Sequence, residues 1–384
     1  MKNKQKVHSL TGRIDFPLMM KAYMAVKRDR GAAGIDKVSI KMFAANLGEN
    51  LGKLQRDIKY GNFTPQPLRR VYVPKGPDSF RPLGIPAVRD RIAQEVVRSL
   101  LNPCFENRFH DSSFGFRPKR SCHQAIEAVL DLHRQGYKVV LDADVKGFFD
   151  NIPLSVIMES VASEVADGNI LRLIEKFLRA GVMENGVFKP TTVGTPQGGV
   201  ISPLLANAVL NHLDWRLHDK GYRFVRYADD FVVVCSTKAQ AEEAKDYVEH
   251  VLSNLGLELS REKTKITTYG KGYDFLGFTL SSRSRRMRGK SEKKFKDKIR
   301  ELTVRKHNLD EQVIVKLNQV IRGTANYFAT SFSTVRWRFA KLDSWIRMRL
   351  RCMKKKRKSY NDNYKLRLNY FRKLGLLRLE SFCM

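Results

Sequence analysis

The sequence predicts an α+β fold, and three observations support that prediction. Strand-like and helical segments mix along residues 1–280 without the regular strand–helix–strand rhythm of a doubly wound sheet. The 384 residues are enough for two or three domains at roughly 150 residues each. Residues 281–384 hold 30 Lys and Arg against 8 Asp and Glu, whereas residues 1–280 hold 41 against 31. We therefore expect the main domain boundary at about residue 280.

The individual elements follow from hydrophobic periodicity and from turn residues. Helical spacing is predicted for 14–60 (broken by the turn GAAGID at 31–36), 87–109, 153–181, 200–219 (a long amphipathic helix) and 238–257. Strands are predicted for 67–73, 137–145, 223–236 (two short strands around a turn), 263–269 and 273–280.

Composition excludes several classes of protein. The net charge of +32 and the isoelectric point near 10.1 indicate a polyanionic partner. No apolar run approaches the ~18 residues of a membrane helix, and the N-terminus lacks a signal core, so a cytoplasmic protein without a membrane partner is expected. The five cysteines include no CxxC pair, which argues against a zinc site or a disulfide framework.

The basic C-terminal segment also carries an aromatic helical stripe. Ile321, Ala325, Phe328 and Phe332 follow the i, i+4, i+7, i+11 spacing of one helix face. We expect this stripe to be buried. The arginines of the segment would then face outward, where they can meet phosphates.

Three aspartates lie next to apolar strand segments, where a charged carboxylate costs free energy. Asp144 ends the apolar strand VVLDADV, and Asp229 and Asp230 lie between the apolar runs RFVRYA and FVVVC. A tight hairpin at 228–230 would bring the carboxylates to one site, where their mutual repulsion calls for a cation. Oxygen ligands suit Mg²⁺, and two such ions can stabilise the attacking and leaving oxygens of a phosphoryl transfer.

A glycine-rich loop lies between these acidic segments. Gly194, Gly198 and Gly199 flank Pro196, so the backbone of this loop can come close to a ligand. The following helix is expected to begin near Ser202 and Pro203, a favourable helix start.

The order of motifs resembles the group II intron reverse transcriptase/maturase family. The matching segments span almost the whole chain: GAAGIDKVSIKMF (31–43), VYVPKGPDSFRPLGIPAVRDRIAQ (71–94), FENRFHDSSFGFRPKRSCHQAI (105–126), LDADVKGFFDNI (141–152), GTPQGGVISPLLANAVLNHLD (194–214), RYADD (226–230), LGLELSREKTKI (255–266), YDFLGFTL (273–280) and residues 317–351. This resemblance implies a right-hand polymerase. Interleaved fingers and palm would occupy 1–280, with palm strands at about 137–150 and 223–280, and a basic helical thumb or maturase domain would occupy 281–384.

The resemblance also assigns roles to individual residues. Asp144, Asp229 and Asp230, with the backbone carbonyl of Val145, would hold two Mg²⁺ ions, with Mn²⁺ as an alternative. The nucleotide-binding residues would be Lys75 and Arg81 (triphosphate), Phe149 (a steric gate against the ribose 2′-hydroxyl), Gln197 (next to the incoming nucleotide), and Lys263 or Lys265 (general acid). The RNA-binding residues would be Arg117, Lys119, Arg120, Arg322, Arg336, Arg338, Arg347, Arg349, Lys354, Lys355 and Lys356.

The implied function is an RNA-directed DNA polymerase that also binds its intron RNA and assists splicing and retrohoming. Its partners would be an RNA template, a DNA primer or target and dNTPs, in a short form without an endonuclease domain. Three alternatives stay open: a maturase-like RNA binder with secondary polymerase activity, a domesticated defence or repair reverse transcriptase with its own noncoding RNA, and an RNA-dependent RNA polymerase. Phe149 argues against the last.

Overall fold

The structure, a computed structural model, describes residues 6–76, 79–195 and 198–383, and it does not describe the side chains of residues 75, 76 and 79. The chain forms two compact units, Met1–Ile266 and Thr267–Met384. The fold class is confirmed, because helices and mainly antiparallel sheets occur together in this architecture.

The first unit contains ten α-helices and eight strands among its described residues, and the boundary between the two units falls within the last of these strands. The helices are α1 (Phe16–Arg28), α2 (Ile40–Ala45), α3 (Leu47–Lys59), α4 (Val88–Glu106), α5 (Cys122–Arg134), α6 (Phe148–Asn151), α7 (Leu154–Ala162), α8 (Gly168–Leu178), α9 (Ser202–Asp219) and α10 (Lys238–Asn254). The strands are β1 (Leu68–Gly76), β2 (Ser79–Ile85), β3 (Val139–Asp144), β4 (Val182–Glu184), β5 (Val187–Lys189), β6 (Arg223–Tyr227), β7 (Asp230–Cys235) and β8 (Lys265–Thr268).

Local sequence explains where these helices begin. The Asp15 side chain accepts a hydrogen bond from the Leu18 amide ahead of α1. Ser121 and Gln124 form a reciprocal capping box at the start of α5, a helix that the sequence analysis did not predict. Such caps satisfy amide groups that would otherwise lack a partner at a helix N-terminus.

Two four-stranded sheets organise the first unit. The N-terminal sheet has the order β2-β1-β4-β5, with β1 antiparallel to β2 and parallel to β4. The central sheet has the order β6-β7-β3-β8, and its strand β3 is antiparallel to β7. Alternate residues of β3, such as Leu141 and Ala143, join the hydrophobic core, so the central sheet is anchored on the face opposite its acidic residues.

The structure corrects two of the predicted elements. Residues 200–219 form a helix, but α9 is not amphipathic, because every residue from Leu204 to Leu210 is buried. The strand predicted over 273–280 is a hairpin of β9 (Tyr273–Phe275) and β10 (Phe278–Leu280), since Leu276 and Gly277 both adopt positive φ angles. The helical prediction for residues 153–181 is confirmed, and this segment contains two helices, α7 and α8.

A buried carboxyl in α4 makes the stability of the first unit depend on pH. Asp90 is 1% exposed, and its Oδ2 accepts a hydrogen bond from the Gln66 amide at 2.8 Å. Burial raises the pKa of Asp90 from 3.8 to about 6. The folded state therefore binds a proton more tightly than the unfolded state does. Its stability falls as the pH rises from about 4 through 6.

An Asp90→Asn substitution should remove this dependence, because an amide keeps the acceptor oxygen without the buried charge. We expect a gain in the free energy of unfolding of about 1–3 kcal/mol at pH 8 and little change at pH 4. Urea unfolding of both proteins at the two pH values measures the difference. An equal pH dependence in the two proteins would contradict the assignment to Asp90.

The second unit packs a small sheet with helices. Strands β9, β10 and β11 (Arg285–Met287) form an antiparallel sheet, and the helices are α11 (Gly289–Leu302), α12 (Glu311–Phe328), α13 (Arg336–Lys355), α14 (Asp362–Lys365) and α15 (Leu368–Lys373). The predicted burial of Ile321, Ala325, Phe328 and Phe332 is confirmed, but Phe332 lies beyond the end of α12 and so outside the predicted helical stripe. In the described part of the chain, no helix combines the length and apolarity needed to cross a membrane.

Candidate active site

The acidic site lies where two paired strands of the central sheet end together. Asp144, the last residue of β3, is the direct cross-strand partner of Asp230, the first residue of β7. Tyr227 pairs with Asp230 on the other side, so β6 and β7 are joined by a two-residue turn, Ala228–Asp229. The hairpin expected at 228–230 therefore brings all three aspartates to one end of the sheet.

The turn has a strained backbone. Ala228 adopts φ +58°, a left-handed conformation that costs a non-glycine residue roughly 1–2 kcal/mol. Gly115 packs directly against it, since a Cβ at position 115 would lie 2.3 Å from the Ala228 nitrogen. Strain of this kind persists only where the surrounding structure over-determines the conformation.

Arg226 is the residue that fixes the turn from inside the protein. Its side chain is fully buried and forms an ion pair with Asp214, Nε to Oδ1 at 2.7 Å and Nη2 to Oδ2 at 2.5 Å. Its Nη1 donates to Asn207 Oδ1 at 2.8 Å and to the carbonyl of Ala228 at 2.9 Å. Asn207 in turn donates to the Gly115 carbonyl at 2.7 Å. One network therefore holds both the turn and the loop that packs against it.

Arg226, Asp214 and Asn207 are not among the predicted site residues, although the sequence contains a polar pattern that includes two of them. Polar residues at 207, 211 and 214 follow the i, i+4, i+7 spacing of one helix face. The structure explains that polar stripe, because Asn211 Oδ1 also accepts a hydrogen bond from the His110 amide at 3.1 Å.

Electrostatics at the site reflect its crowded carboxylates. Burial raises the pKa of Asp229, the neighbouring Asp144 raises it further, and Arg81 and Lys263 oppose the rise. Lys263 Nζ lies 2.9 Å from Asp144 Oδ2, and this hydrogen bond raises the pKa of Lys263. Lys265 faces Asp142 instead, at 3.5 Å. The structure thus separates the two lysines that the sequence left as alternatives.

The backbone carbonyl oxygen of Val145 is available as a metal ligand. Val145 bridges Leu259, but the flanking bonds run from Lys146 N to Glu258 O and from Ser260 N to Asp144 O. In this pattern the bridged residues do not bond each other, so the Val145 carbonyl points away from Leu259. Across residues 6–76, 79–195 and 198–383, no protein donor reaches it.

The donor set fits a hard divalent cation. Three carboxylates and one backbone carbonyl supply only oxygen, which Mg²⁺ prefers. The described residues contain no preformed group of three or more acidic, histidine or cysteine side chains spaced to hold a metal ion. In this structure, the positive charge next to Asp144 comes from the ammonium group of Lys263.

Phe149 lies on the short helix α6, which follows β3 in the chain. Its ring is half-buried, packs against the core and contacts the Phe148 ring edge-on at 5.3 Å. Its backbone carbonyl accepts a hydrogen bond from the Thr195 amide at 2.8 Å, and the Gly194 amide donates to Ile152 at 2.8 Å. The backbone of the glycine-rich loop is therefore tied to the backbone that carries Phe149.

The same loop also meets the N-terminal sheet. A Cβ at Gly198 would lie 2.2 Å from the carbonyl of Gly84, which follows Arg81 on β2. Arg81 is exposed and acts electrostatically on Asp229. Gln197 and the side chain of Lys75 lie outside the described residues, so their predicted roles stay predictions.

Comparison with known proteins identifies the family. The family model for reverse transcriptase (RNA-dependent DNA polymerase) matches residues 73–280, and the model for the group II intron maturase-specific domain matches residues 292–371. The chain belongs to the group II intron reverse transcriptase/maturase family. Members of this family match this chain over different shares of its length and of their own length. Protein YkfC of Escherichia coli is 36% identical over 64% of this chain and 75% of its own length.

More distant family members have intron-related names. The group II intron-encoded protein LtrA of Lactococcus lactis is 29% identical over 75% of this chain and 65% of its own length. A putative COX1/OXI3 intron 2 protein of Saccharomyces cerevisiae is 27% identical over 72% of this chain and 40% of its own length. The chain therefore spans less than two thirds of these two longer family members.

The predicted RNA contacts of the first unit divide into exposed and internal residues. The structure corrects the predicted RNA contact of Arg117, because this residue is buried. It forms an ion pair with Glu106 at 2.8 Å and donates to the carbonyls of His110 and Ser113 at 2.7 Å. It is used within the protein to hold the loop before Gly115. Lys119 is exposed, while Arg120 is half-buried and pairs with Asp111 at 2.7 Å.

The predicted contacts of the second unit divide in the same way. Five are exposed: Arg322, Arg336, Lys354, Lys355 and Lys356. Some of the predicted contacts are engaged within the protein, since Arg338 pairs with Glu292 at 2.6 Å, and Arg349 and Lys356 donate to backbone carbonyls at 2.8 and 2.6 Å. Arg347 is half-buried and lines a basic cavity of the second unit.

Proposed function

We propose that this chain is an RNA-directed DNA polymerase that extends a DNA primer with dNTPs on an RNA template. The observation that supports this most directly is the joint end of β3 and β7, where Asp144 pairs with Asp230, Asp229 lies in the adjoining turn and Val145 follows β3. These four residues would hold two Mg²⁺ ions, with Mn²⁺ as an alternative. Bound there, the metal would supply Lewis-acid stabilisation of the oxygens in phosphoryl transfer.

The surrounding residues would bind and orient the nucleotide. Arg81, with its exposed guanidinium, and Lys75 would bind the triphosphate, since Arg offers a planar fork and Lys a point charge. Gln197 would lie against the incoming nucleotide. Lys263 is the better candidate for protonating the leaving pyrophosphate, because its Nζ already reaches the acidic site while Lys265 faces Asp142.

The second unit would contribute RNA binding. Its residues 281–384 carry most of the excess positive charge, and the matched family model is specific to maturases. We propose fingers and palm over 1–280 and a thumb or maturase domain over 281–384. Intron RNA is the proposed partner, and assistance to splicing and retrohoming the proposed role. A cytoplasmic location stays a prediction.

Primer extension tests the proposed polymerase activity. A DNA primer annealed to an RNA template is incubated with the full chain and Mg²⁺, with either dNTPs or rNTPs. Extension with dNTPs is the expected result. A folded protein that binds the RNA tightly yet extends nothing would overturn the polymerase proposal in favour of an RNA binder.

A Phe149→Val substitution should widen sugar selectivity. If the ring excludes the ribose 2′-hydroxyl, removing most of it should raise the ratio of kcat/KM for rNTPs to that for dNTPs by roughly 10- to 200-fold. Phe148→Leu is a matched control, because Phe148 is buried in the core beside it. A ratio that stays constant in Phe149→Val, or rises equally in both variants, would contradict the gate.

A further inference from the structure

The second unit contains a basic cavity that the proposed polymerase site does not use. It has a volume of about 310 Å³ and lies between one face of α13 and the chain that returns after it. Ser344, Arg347 and Arg351 line it from α13 at i, i+3, i+7 spacing, and Arg357, Lys358 and Ser359 line it from the returning segment. No carboxylate belongs to the described lining.

The arginines of this cavity have unused donors. Arg347 Nη2 donates to Ser344 Oγ at 3.0 Å, and Arg351 donates through Nε to the Leu366 carbonyl at 3.0 Å. The other terminal nitrogens of these two guanidinium groups have no protein acceptor within the described part of the chain. Burial lowers the pKa of both groups, and the proximity of Arg347 lowers that of Arg351 further.

One buried carboxylate forms a long ion pair with an arginine that lines the cavity. Asp362 is 1% exposed and lies 3.6 Å from Arg357 Nη2, beyond hydrogen-bond distance. Three arginines and a lysine thus converge, and the carboxylates that act on the arginines, Asp362, Asp343 and Glu380, lie outside the described lining of the cavity. Like charges held together and partly removed from water are costly unless an anion compensates them.

Two tyrosines next to the cavity are unusually exposed. Tyr360, which lines the cavity, is 82% exposed, and Tyr364 on α14 is 73% exposed. Large aromatic side chains exposed to water beside a basic cavity match the way single-stranded nucleic acid is bound. There, basic groups follow the backbone and unpaired bases stack on aromatic rings.

We propose that this cavity binds a backbone phosphate of single-stranded RNA, with an adjacent base stacked on Tyr360. The proposal rests on the proposed RNA binding by the second unit and gives it a defined site. Arg347 and Arg357 contact the phosphate. Arg351 adds positive charge to the same cavity. Its guanidinium also packs over the Phe371 ring, 5.4 Å from the ring centroid.

The first test removes the two phosphate contacts. The double variant Arg347→Gln, Arg357→Gln is compared with Arg305→Gln, Lys316→Gln, a control with the same loss of charge at exposed positions of the same unit. Binding of a short oligouridine to the full chain is followed by fluorescence anisotropy over a range of salt concentrations. The slope of log K against log salt should become shallower by about 0.7 per phosphate lost in the cavity variant, and less in the control. Equal changes in the two variants would overturn the proposal.

The second test concerns the stacked base and the source of the phosphate. Tyr360→Ala should weaken oligouridine binding about tenfold, Tyr360→Phe should preserve it, and Tyr60→Ala, at a 77% exposed position of the first unit, should leave it unchanged. Inorganic phosphate and pyrophosphate are tested as competitors against sodium chloride of equal ionic strength. If they compete while Tyr360→Ala has no effect, the cavity binds free anions and the RNA assignment fails.

These measurements can fail separately from the polymerase proposal. Primer extension by the wild-type protein is recorded alongside the binding data. Active protein with no cavity-dependent RNA binding would overturn the cavity site alone.

Discussion

An Asp229→Asn substitution is expected to lower the rate of dNTP incorporation by on the order of 10³-fold or more, while the protein stays folded. The side chain keeps its size and one oxygen, but it loses the negative charge that a cation at this site requires. Asp229 lies in the turn rather than in a strand, so the substitution leaves the pairing of Asp144 with Asp230 intact. Because the burial of Asp229 and its proximity to Asp144 both disfavour its ionised form, the variant should be at least as stable as the wild type.

Single-nucleotide incorporation on an annealed RNA template, together with urea unfolding, measures both effects. Asp246→Asn is the matched control, since Asp246 is an exposed residue of α10. Activity within a few-fold of the wild type in a folded Asp229→Asn protein would exclude this carboxylate from the reaction.

An Arg226→Met substitution is expected to destabilise the first unit by about 3–5 kcal/mol, because it leaves Asp214 charged, unpaired and fully buried. A loss of activity in this variant alone would be ambiguous. The double variant Arg226→Met, Asp214→Leu removes both charges and fills the space with apolar atoms. Such replacements restore stability to near or above that of the wild type in other buried ion pairs.

Activity should not return with stability in the double variant. Neither new side chain can donate to the carbonyl of Ala228, the bond that links the network to the strained turn. We expect the double variant to need a higher Mg²⁺ concentration for half-maximal extension, whereas Arg226→Lys, which keeps a donor, should recover part of the difference. A stable double variant with wild-type Mg²⁺ dependence would show that the turn holds its shape without Arg226.

Short-range patterns predicted the parts of the fold that depend on local sequence. The apolar runs that flank Asp229 and Asp230 predicted two strands and a turn, and β6 and β7 lie there. Periodicity failed where tertiary contacts decide the outcome. It predicted an amphipathic α9, but the central position of this helix buries Asn207 and Asp214 as well as its leucines.

The same limit applies to the candidate site. Residue type and position predicted Asp144, Asp229 and Asp230, and the register of β3 and β7 brings Asp144 and Asp230 into direct pairing. Charge alone could not separate a surface arginine from an internal one. Arg117, which the sequence assigned to RNA, and Arg226, which it left without a role, both hold buried backbone carbonyls.

The attachment of the glycine-rich loop to Phe149 has a consequence for laboratory evolution. The loop is tied to the main-chain carbonyl of Phe149 and not to its ring, through the bond from the Thr195 amide. Position 149 can therefore exchange side chains while that tether persists. Under the proposed gate role of Phe149, sugar choice and loop placement would be separable traits, and libraries aimed at modified nucleotides would vary residue 149 first and keep 194–195 constant.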